Sequence, residues 1–146
     1  RGVDRSRLAM IVAVLARRAR LRLLQSDIFV NVAGGLVLED PAADLAVALA
    51  IASACRDQDG DGGLAAFGEL SLTGKVRYAM QGDRRLRELS RRGFDRIIVP
   101  QRNAQEYAGT AGQAAGQEAG KAAVRTEPVL DIAQAVAYTA ARSSSG

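Results

Sequence analysis

An α/β or α+β domain is the fold class that this 146-residue sequence predicts. Three observations carry it. Strand-like and helix-like segments alternate, apolar residues recur at helical spacing near the start, and Pro or Gly punctuates most element ends. The length suits one domain over residues 1–142, able to bury roughly two-thirds of its unfolded surface. Ser143-Ser144-Ser145-Gly146 reads as a tail.

The elements follow in order. Asp4 or Ser6 can cap a first helix, in which Leu8, Ile11, Val12, Leu15 and Ala19 share one face. Arg17, Arg18, Arg20 and Arg22 crowd its end, where cations suit the helix dipole. Asp27 to Val32 reads as a strand, and Leu36 to Leu38 as a short second one after the Gly34-Gly35 turn. Pro41 suits the first turn of a helix, because the N–H it lacks is unpaired there anyway. That helix runs to about Arg56 and is nearly all Ala, Leu, Val and Ile, so it should be buried on most sides. Leu64 to Glu69 and Leu72 to Tyr78 look like strands joined by a tight connection. Gly82 and Asp83 open a helix with Leu86 and Leu89 inward and its arginines outward. Gly93 stops it, and Arg96 to Val99 makes a further strand. The Ala/Gly-rich stretch 108–123 reads as a flexible loop. A strand near Val124 to Thr126 and a helix from about Val129 to Ala141 complete the pattern.

Composition excludes several classes of function. There is no histidine, which removes His-based triads and most zinc sites. The single cysteine, Cys55, forbids an internal disulfide and suits a reducing, cytoplasmic setting; its Ala-rich context predicts a buried small hydrophobe. No apolar stretch approaches the roughly 20 residues of a membrane span, and no secretory signal is visible. A start at Arg1 reads as an excised fragment.

The net charge of +4 conceals a sharp asymmetry. Residues 1–22 hold seven Arg against Asp4, whereas residues 23–76 hold eight acids against Arg56 and Lys75. Residues 83–96 return six Arg against three acids. Two basic helices around an acidic middle suggest an anionic partner, either nucleic acid or a neighbour's acidic face such as Asp57 to Asp61.

Three segments together carry a family resemblance: Asp27 to Leu36 with Glu39-Asp40-Pro41-Ala42-Ala43-Asp44-Leu45-Ala46, then Phe67-Gly68-Glu69 to Val76, then Gly93-Phe94 to Pro100. Their order and spacing resemble the proteolytic domain of the Lon family. In that family a Pro-Ser-Ala-Gly turn carries the nucleophile and a lysine serves as its base. Here Ala42 stands in the nucleophile's place, and the lysine position falls on Asp83. A Ser/Lys dyad needs a hydroxyl and an amine, so the resemblance implies a Lon-like fold, a mixed sheet packed by helices, with the dyad lost. A Lon-like domain without its dyad is similar to the C-terminal domain of the bacterial RadA (Sms) family of repair and recombination proteins. The resemblance is close over about residues 4–100. It implies a DNA-dependent ATPase that promotes branch migration, assembled as a ring, with six subunits expected. It also implies a zinc finger and a RecA-like core that precede this domain and are not in this chain. ATP, magnesium and zinc are expected only in those parts.

Each remaining motif has a bland reading beside the sharp one. Lys75 and Lys121 are the only lysines, and neither occupies the dyad position, so a serine peptidase is the weakest alternative. Asp57-Gln58-Asp59-Gly60-Asp61-Gly62 matches the first half of a calcium loop, but position twelve is Gly68 instead of a bidentate Glu. A solvated acidic loop is the better reading, and no metal site is expected. No Gly-x-x-x-x-Gly-Lys-Ser/Thr phosphate loop occurs. Asp44 reads first as a cap at a helix N-terminus and only second as a ligand group. The positive signal is arginine. Arg17, Arg18, Arg20, Arg84, Arg85, Arg87, Arg91 and Arg92 are the candidate contacts to the DNA phosphate backbone. The bland alternative is a solvated surface in an arginine-biased sequence, and Tyr78 is the only aromatic near them for base stacking. The expected role is a non-catalytic scaffold and DNA-contact domain. The alternative is a pure oligomerisation module without DNA affinity.

Overall fold

The computed structural model describes residues 2–58, 63–114 and 124–141. Five helices and five strands occur there. They are α1 (Arg5–Arg18), α2 (Asp44–Cys55), β1 (Leu64–Ala66), β2 (Glu69–Leu70), β3 (Val76–Arg77), α3 (Gly82–Arg91), β4 (Arg96–Pro100), α4 (Gln101–Ala114), β5 (Arg125–Val129) and α5 (Ile132–Ala141). Short 3-10 turns cover Ala33–Gly35 and Pro41–Ala43.

A three-stranded parallel sheet, ordered β1-β4-β5, divides the molecule. β4 is its central strand, and Ile97, Ile98 and Val99 are all fully buried, as expected for a parallel strand covered on both faces. Side chains alternate across a strand, so consecutive residues serve different cores. Ile98, with Leu64, Ala66 and Val129, packs among α1, α2 and α5 residues such as Ile11, Leu15, Leu45 and Ile132. Ile97 and Val99, with Ala65, pack on the opposite face among Leu86 of α3, Ala104 and Tyr107 of α4, Phe67 and Ala42. The edge position of β5 tolerates Pro128, which has no N–H to donate to a ladder. β2 and β3 form a separate antiparallel pair.

Helix ends follow local chemistry. The Asp4 carboxylate accepts from the Arg7 N–H at 3.0 Å and starts α1. At α5, Asp131 Oδ1 accepts from the Gln134 N–H at 2.9 Å while Gln134 Oε1 accepts from the Leu130 N–H at 2.7 Å, a reciprocal capping arrangement.

Several expectations are corrected. Asp27 to Val32 and Leu36 to Leu38 form no strand. Ile28, Val30 and Leu38 lean on the core, but the segments join no ladder, and Phe29 is 93% exposed. Alternation alone makes a chain extended; a strand also needs a neighbouring strand to bond to. The expected strand Leu72 to Tyr78 shrinks to Val76–Arg77, because 71–74 turn tightly with the Gly74 N–H bonded to the Ser71 carbonyl at 3.0 Å. Residues 108–114 belong to α4 and are not loop, since Ala108, Ala111 and Ala114 offset the helix cost of Gly109 and Gly112. Cys55 is exposed, because it is the last residue of α2, where the helix runs out beyond the buried Ile51 and Ala52 of the same face. Residues 59–62, 115–123 (with Lys121) and 142–146 lie outside the described residues, and so do the expectations for them.

The N-terminal end of α2 is tied to two other elements. Asp44, only 2% exposed, takes Arg7 Nε at 2.5 Å and Arg7 Nη2 at 2.7 Å, and also accepts from the Leu70 N–H at 3.1 Å. Hydrogen bonding to this carboxylate, against a smaller opposing effect of burial, raises the Arg7 pKa above its ordinary value. Removing the cation would strand a buried charge. We expect Arg7→Leu to cost about 3 kcal/mol in urea unfolding. The double variant Arg7→Leu/Asp44→Asn should recover part of this loss, because an amide oxygen still accepts from Leu70. A single variant within about 0.5 kcal/mol of the parent would show the pair to be incidental.

Candidate nucleic-acid interface

The turn that the Lon resemblance singles out is closed by backbone bonds. The Ala42 carbonyl accepts from the Gly68 N–H at 2.8 Å, and the Gly68 carbonyl accepts from the Leu45 N–H at 3.1 Å. The Ala42 methyl is 5% exposed and packs with Phe67, Ala79, Leu86, Ile97 and Val99. Asp83 lies in the first turn of α3, exposed, and pairs with Arg87 at 3.1 Å. An apolar methyl and a solvated carboxylate therefore stand at the two positions that the resemblance aligns with a dyad. Asp40 supplies the hydrogen bond at this turn, accepting from the Ala42 N–H at 3.0 Å. The Asp44 carboxylate turns instead toward Arg7 and Leu70, so Asp44 links elements where a cap was expected.

The eight candidate arginines do not form one patch. Arg17 and Arg18 end α1, and Arg20 follows with a left-handed φ of 56°. The Arg18 stem packs under the backbone of Gly74, where a Cβ would sit 2.9 Å from Arg18 Cγ. This group belongs to the α1–α2–α5 side of the sheet, whereas α3 lies on the other side.

Within α3 the arginines differ in what they can do. Arg84, Arg87 and Arg91 recur at three- and four-residue spacing and form an exposed row. Arg84 and Arg91 carry no ion pair among the described residues. Arg87 is tied to Asp83 and Arg92 to Glu88 by one-turn pairs in which both side chains are more than half exposed. Arg85 is different. It pairs with Asp40 at 2.7 Å, donates to the Met80 carbonyl at 2.9 Å, and lies 5.9 Å from the Phe67 ring centroid. Its role is to fasten α3 to the 40–42 turn.

Sequence reasoning noted Tyr78 but missed what surrounds it. The Tyr78 phenol donates to Glu106 Oε2 at 2.6 Å, and Arg102 lies over the ring at 5.4 Å from its centroid. The bond to Glu106 holds the phenol above its ordinary value of 10.0. Arg102 and Glu106 stand four residues apart on α4, a spacing that signals a shared helix face once 101–114 is read as helix. Among the described residues no group of three or more His, Cys, Asp or Glu could hold a metal ion. No helix among them is long and apolar enough to cross a membrane.

The Ala42 N–H bond is the main cause of the depressed Asp40 pKa, which lies below the ordinary 3.8, with Arg85 adding to it against partial desolvation. A depressed folded value means stabilisation that is complete above 3.8 and lost as pH falls through the folded pKa. The melting temperatures of the parent and Asp40→Asn should therefore differ near neutral pH and converge in acid below 3.8. A gap that stays constant down the acid range would show that the Asp40 charge contributes nothing.

Comparison with known proteins places this geometry in a family. The family described as "Subunit ChlI of Mg-chelatase" matches residues 4–103. DNA repair protein RadA of Aquifex aeolicus (strain VF5) is 43% identical over 99 residues, 68% of this chain and 22% of that protein. RadA of Halalkalibacterium halodurans is 42% identical over 102 residues, covering 70% of this chain and 22% of its own length. RadA of Escherichia coli (strain K12) is 41% identical over 102 residues, with the same coverage of 70% and 22%. The match thus spans about a fifth of the length of these curated relatives. The chain belongs to the family described as subunit ChlI of Mg-chelatase and is, over about two-thirds of its length, a homologue of DNA repair protein RadA.

Proposed function

We propose that this chain is a non-proteolytic, Lon-like scaffold and DNA-contact domain of a RadA-type repair ATPase. The observation that carries the reading is the exposed row Arg84, Arg87 and Arg91 on α3, in a chain whose relatives are named DNA repair proteins. Guanidinium groups in a row can meet successive phosphates of a nucleic acid backbone. Arg92 extends the row if Glu88 releases it. Arg17, Arg18 and Arg20 make a second basic edge on the other side of the sheet. In the longer protein the domain would sit in a cytoplasmic, hexameric ring that promotes branch migration. This chain has no phosphate loop, so ATP, magnesium and zinc are assigned to other parts of that protein.

The Lon-like reading rests on the 40–46 turn and the strand run after it. With a buried methyl at position 42, no nucleophile faces solvent there. Ala42→Ser should acquire no labelling by a serine-reactive probe, because Asp83 offers no amine to act as base. Labelling of that variant above the parent would overturn the assignment of a missing base, and labelling of the parent itself would overturn the non-proteolytic reading.

A second reading, a pure oligomerisation module, is favoured by the exposed apolar side chains Leu24, Phe29, Leu36 and Val37. Fluorescence anisotropy of single- and double-stranded DNA across a salt series separates the two. DNA contact predicts affinity that falls steeply with salt. Arg84→Ala and Arg91→Ala should each reduce the log–log slope by about 1. Substitutions of Arg17 and Arg18 should add to these, since the two groups share no partner. Absence of binding at low salt, with concentration-dependent assembly, would leave the oligomerisation module standing.

A further inference from the structure

The link between β3 and α3 is held so that it displays two large side chains. Asn103 of α4, itself 2% exposed, grips the peptide of Ala79 from both sides. Its Oδ1 accepts from the Ala79 N–H at 2.9 Å, and its Nδ2 donates to the Ala79 carbonyl at 2.8 Å. Ala79 is buried as a result, while Tyr78 and Met80 on either side are 37% and 76% exposed. Gly82 closes the link against the same amide, where a Cβ would stand 2.4 Å from Asn103 Nδ2. The ledge is thus fixed by a buried side chain that satisfies its hydrogen bonds locally.

The aromatic ring on this ledge is oriented as well as exposed. Glu106 fixes the phenol, and the Arg102 guanidinium lies over the ring, 5.4 Å from its centroid. Arg102 occupies one side, yet the residue keeps over a third of its surface open. Arg102 lies over the ring, while Arg85, bonded to the Met80 carbonyl, and Arg84, in the first turn of α3, follow the ledge along the chain. Of the nearby acids, Asp83 is ion-paired with Arg87, and Glu106 accepts the phenol hydrogen and keeps its negative charge at the hydroxyl end of the ring. A rigid aromatic with a flexible thioether beside it and arginines around it matches what a nucleobase and its phosphates require.

We propose that Tyr78, backed by Arg102 and flanked by Met80, is a stacking site for an unpaired base of single-stranded DNA, with Arg84 and Arg102 meeting the adjacent phosphates. The site rests on the DNA-contact reading and deepens it, since it makes the preferred ligand a single strand. A duplex keeps its base faces stacked inward and offers none to the ring. Arg102 acts by charge and by holding the ring, and Tyr78 acts through its face.

The test compares oligothymidylate with an abasic oligomer of equal length and charge, bound to the 146-residue chain. The parent should bind the base-bearing strand roughly ten-fold more tightly. Tyr78→Ala should erase that preference and leave abasic binding unchanged, and Tyr78→Phe should retain it. Arg102→Gln should weaken both oligomers. Photo-crosslinking of a 5-iododeoxyuridine strand should label Tyr78 in the parent, a readout that needs no substituted protein. Equal binding of the two oligomers by the parent, without crosslinking at Tyr78, overturns the stacking site and leaves backbone contact standing. Failure of both oligomers to bind overturns the DNA-contact reading itself. A Tyr78→Ala change in sedimentation mass, with the base preference intact, would make the ledge a subunit contact and also overturn the site.

Discussion

One buried carboxylate holds together the elements that come from the first half of the chain. Asp44 begins α2, yet its oxygens are spent on Arg7 of α1 and on the Leu70 N–H of β2. A carboxylate this deep is tolerable only with a cation and further donors around it. Its location therefore fixes three elements at once. The helix dipole at the start of α2 adds to the same stabilisation. Next to it, Gly68 exchanges backbone hydrogen bonds with Ala42 and Leu45, so the 41–45 turn and the 67–70 segment move as one body. The turn at Ala42 is thereby a packed joint, with Ala42 facing the core that α3 also uses.

The parallel sheet has an electrostatic consequence. Alternation along β4 sends Ile98 to the α1–α2–α5 core and Ile97 and Val99 to the α3–α4 core. The two basic helices that flank the acidic middle of the sequence are thus separated by a layer of fully buried side chains. Each basic surface must find its own partner, and the charges on one face are poorly placed to reinforce those on the other.

On α3 itself, the pairing of each arginine decides its availability. Exposed one-turn pairs such as Arg87–Asp83 and Arg92–Glu88 contribute only about 0.3–0.5 kcal/mol. A phosphate can replace either carboxylate at small cost. Arg85 is half-buried against Phe67 and bonded to Asp40 and the Met80 carbonyl, so recruiting it to a ligand would loosen α3. The same contacts hold the Tyr78–Met80 ledge from one side while Asn103 holds it from the other. Anchoring and display are therefore divided between neighbouring residues.

The sequence by itself determined what depends on near neighbours in the chain. A cap at the start of α1, open between Asp4 and Ser6 and taken by Asp4, the Pro41 turn, the buried α2 and the amphipathic α3 all follow from local propensity and periodicity, and each is present. The family was legible too, because the segments that carry it are contiguous. Tertiary structure decided the rest. It left 27–32 and 36–38 without a ladder, since a strand is defined by a partner that no local pattern supplies. It turned Cys55 outward, whereas the helix over 108–114 follows from the alanine propensity that a reading of this stretch as Ala/Gly loop undervalued. It also chose Asp44 for a long-range ion pair with Arg7 and drew Arg102, Asn103 and Glu106 around Tyr78 and Ala79 from more than twenty residues away. Periodicity reports which face of an element is apolar, but not which other element comes to lie against it. Buried pairs and stacked rings depend on that second fact, and only packing of the whole chain supplies it.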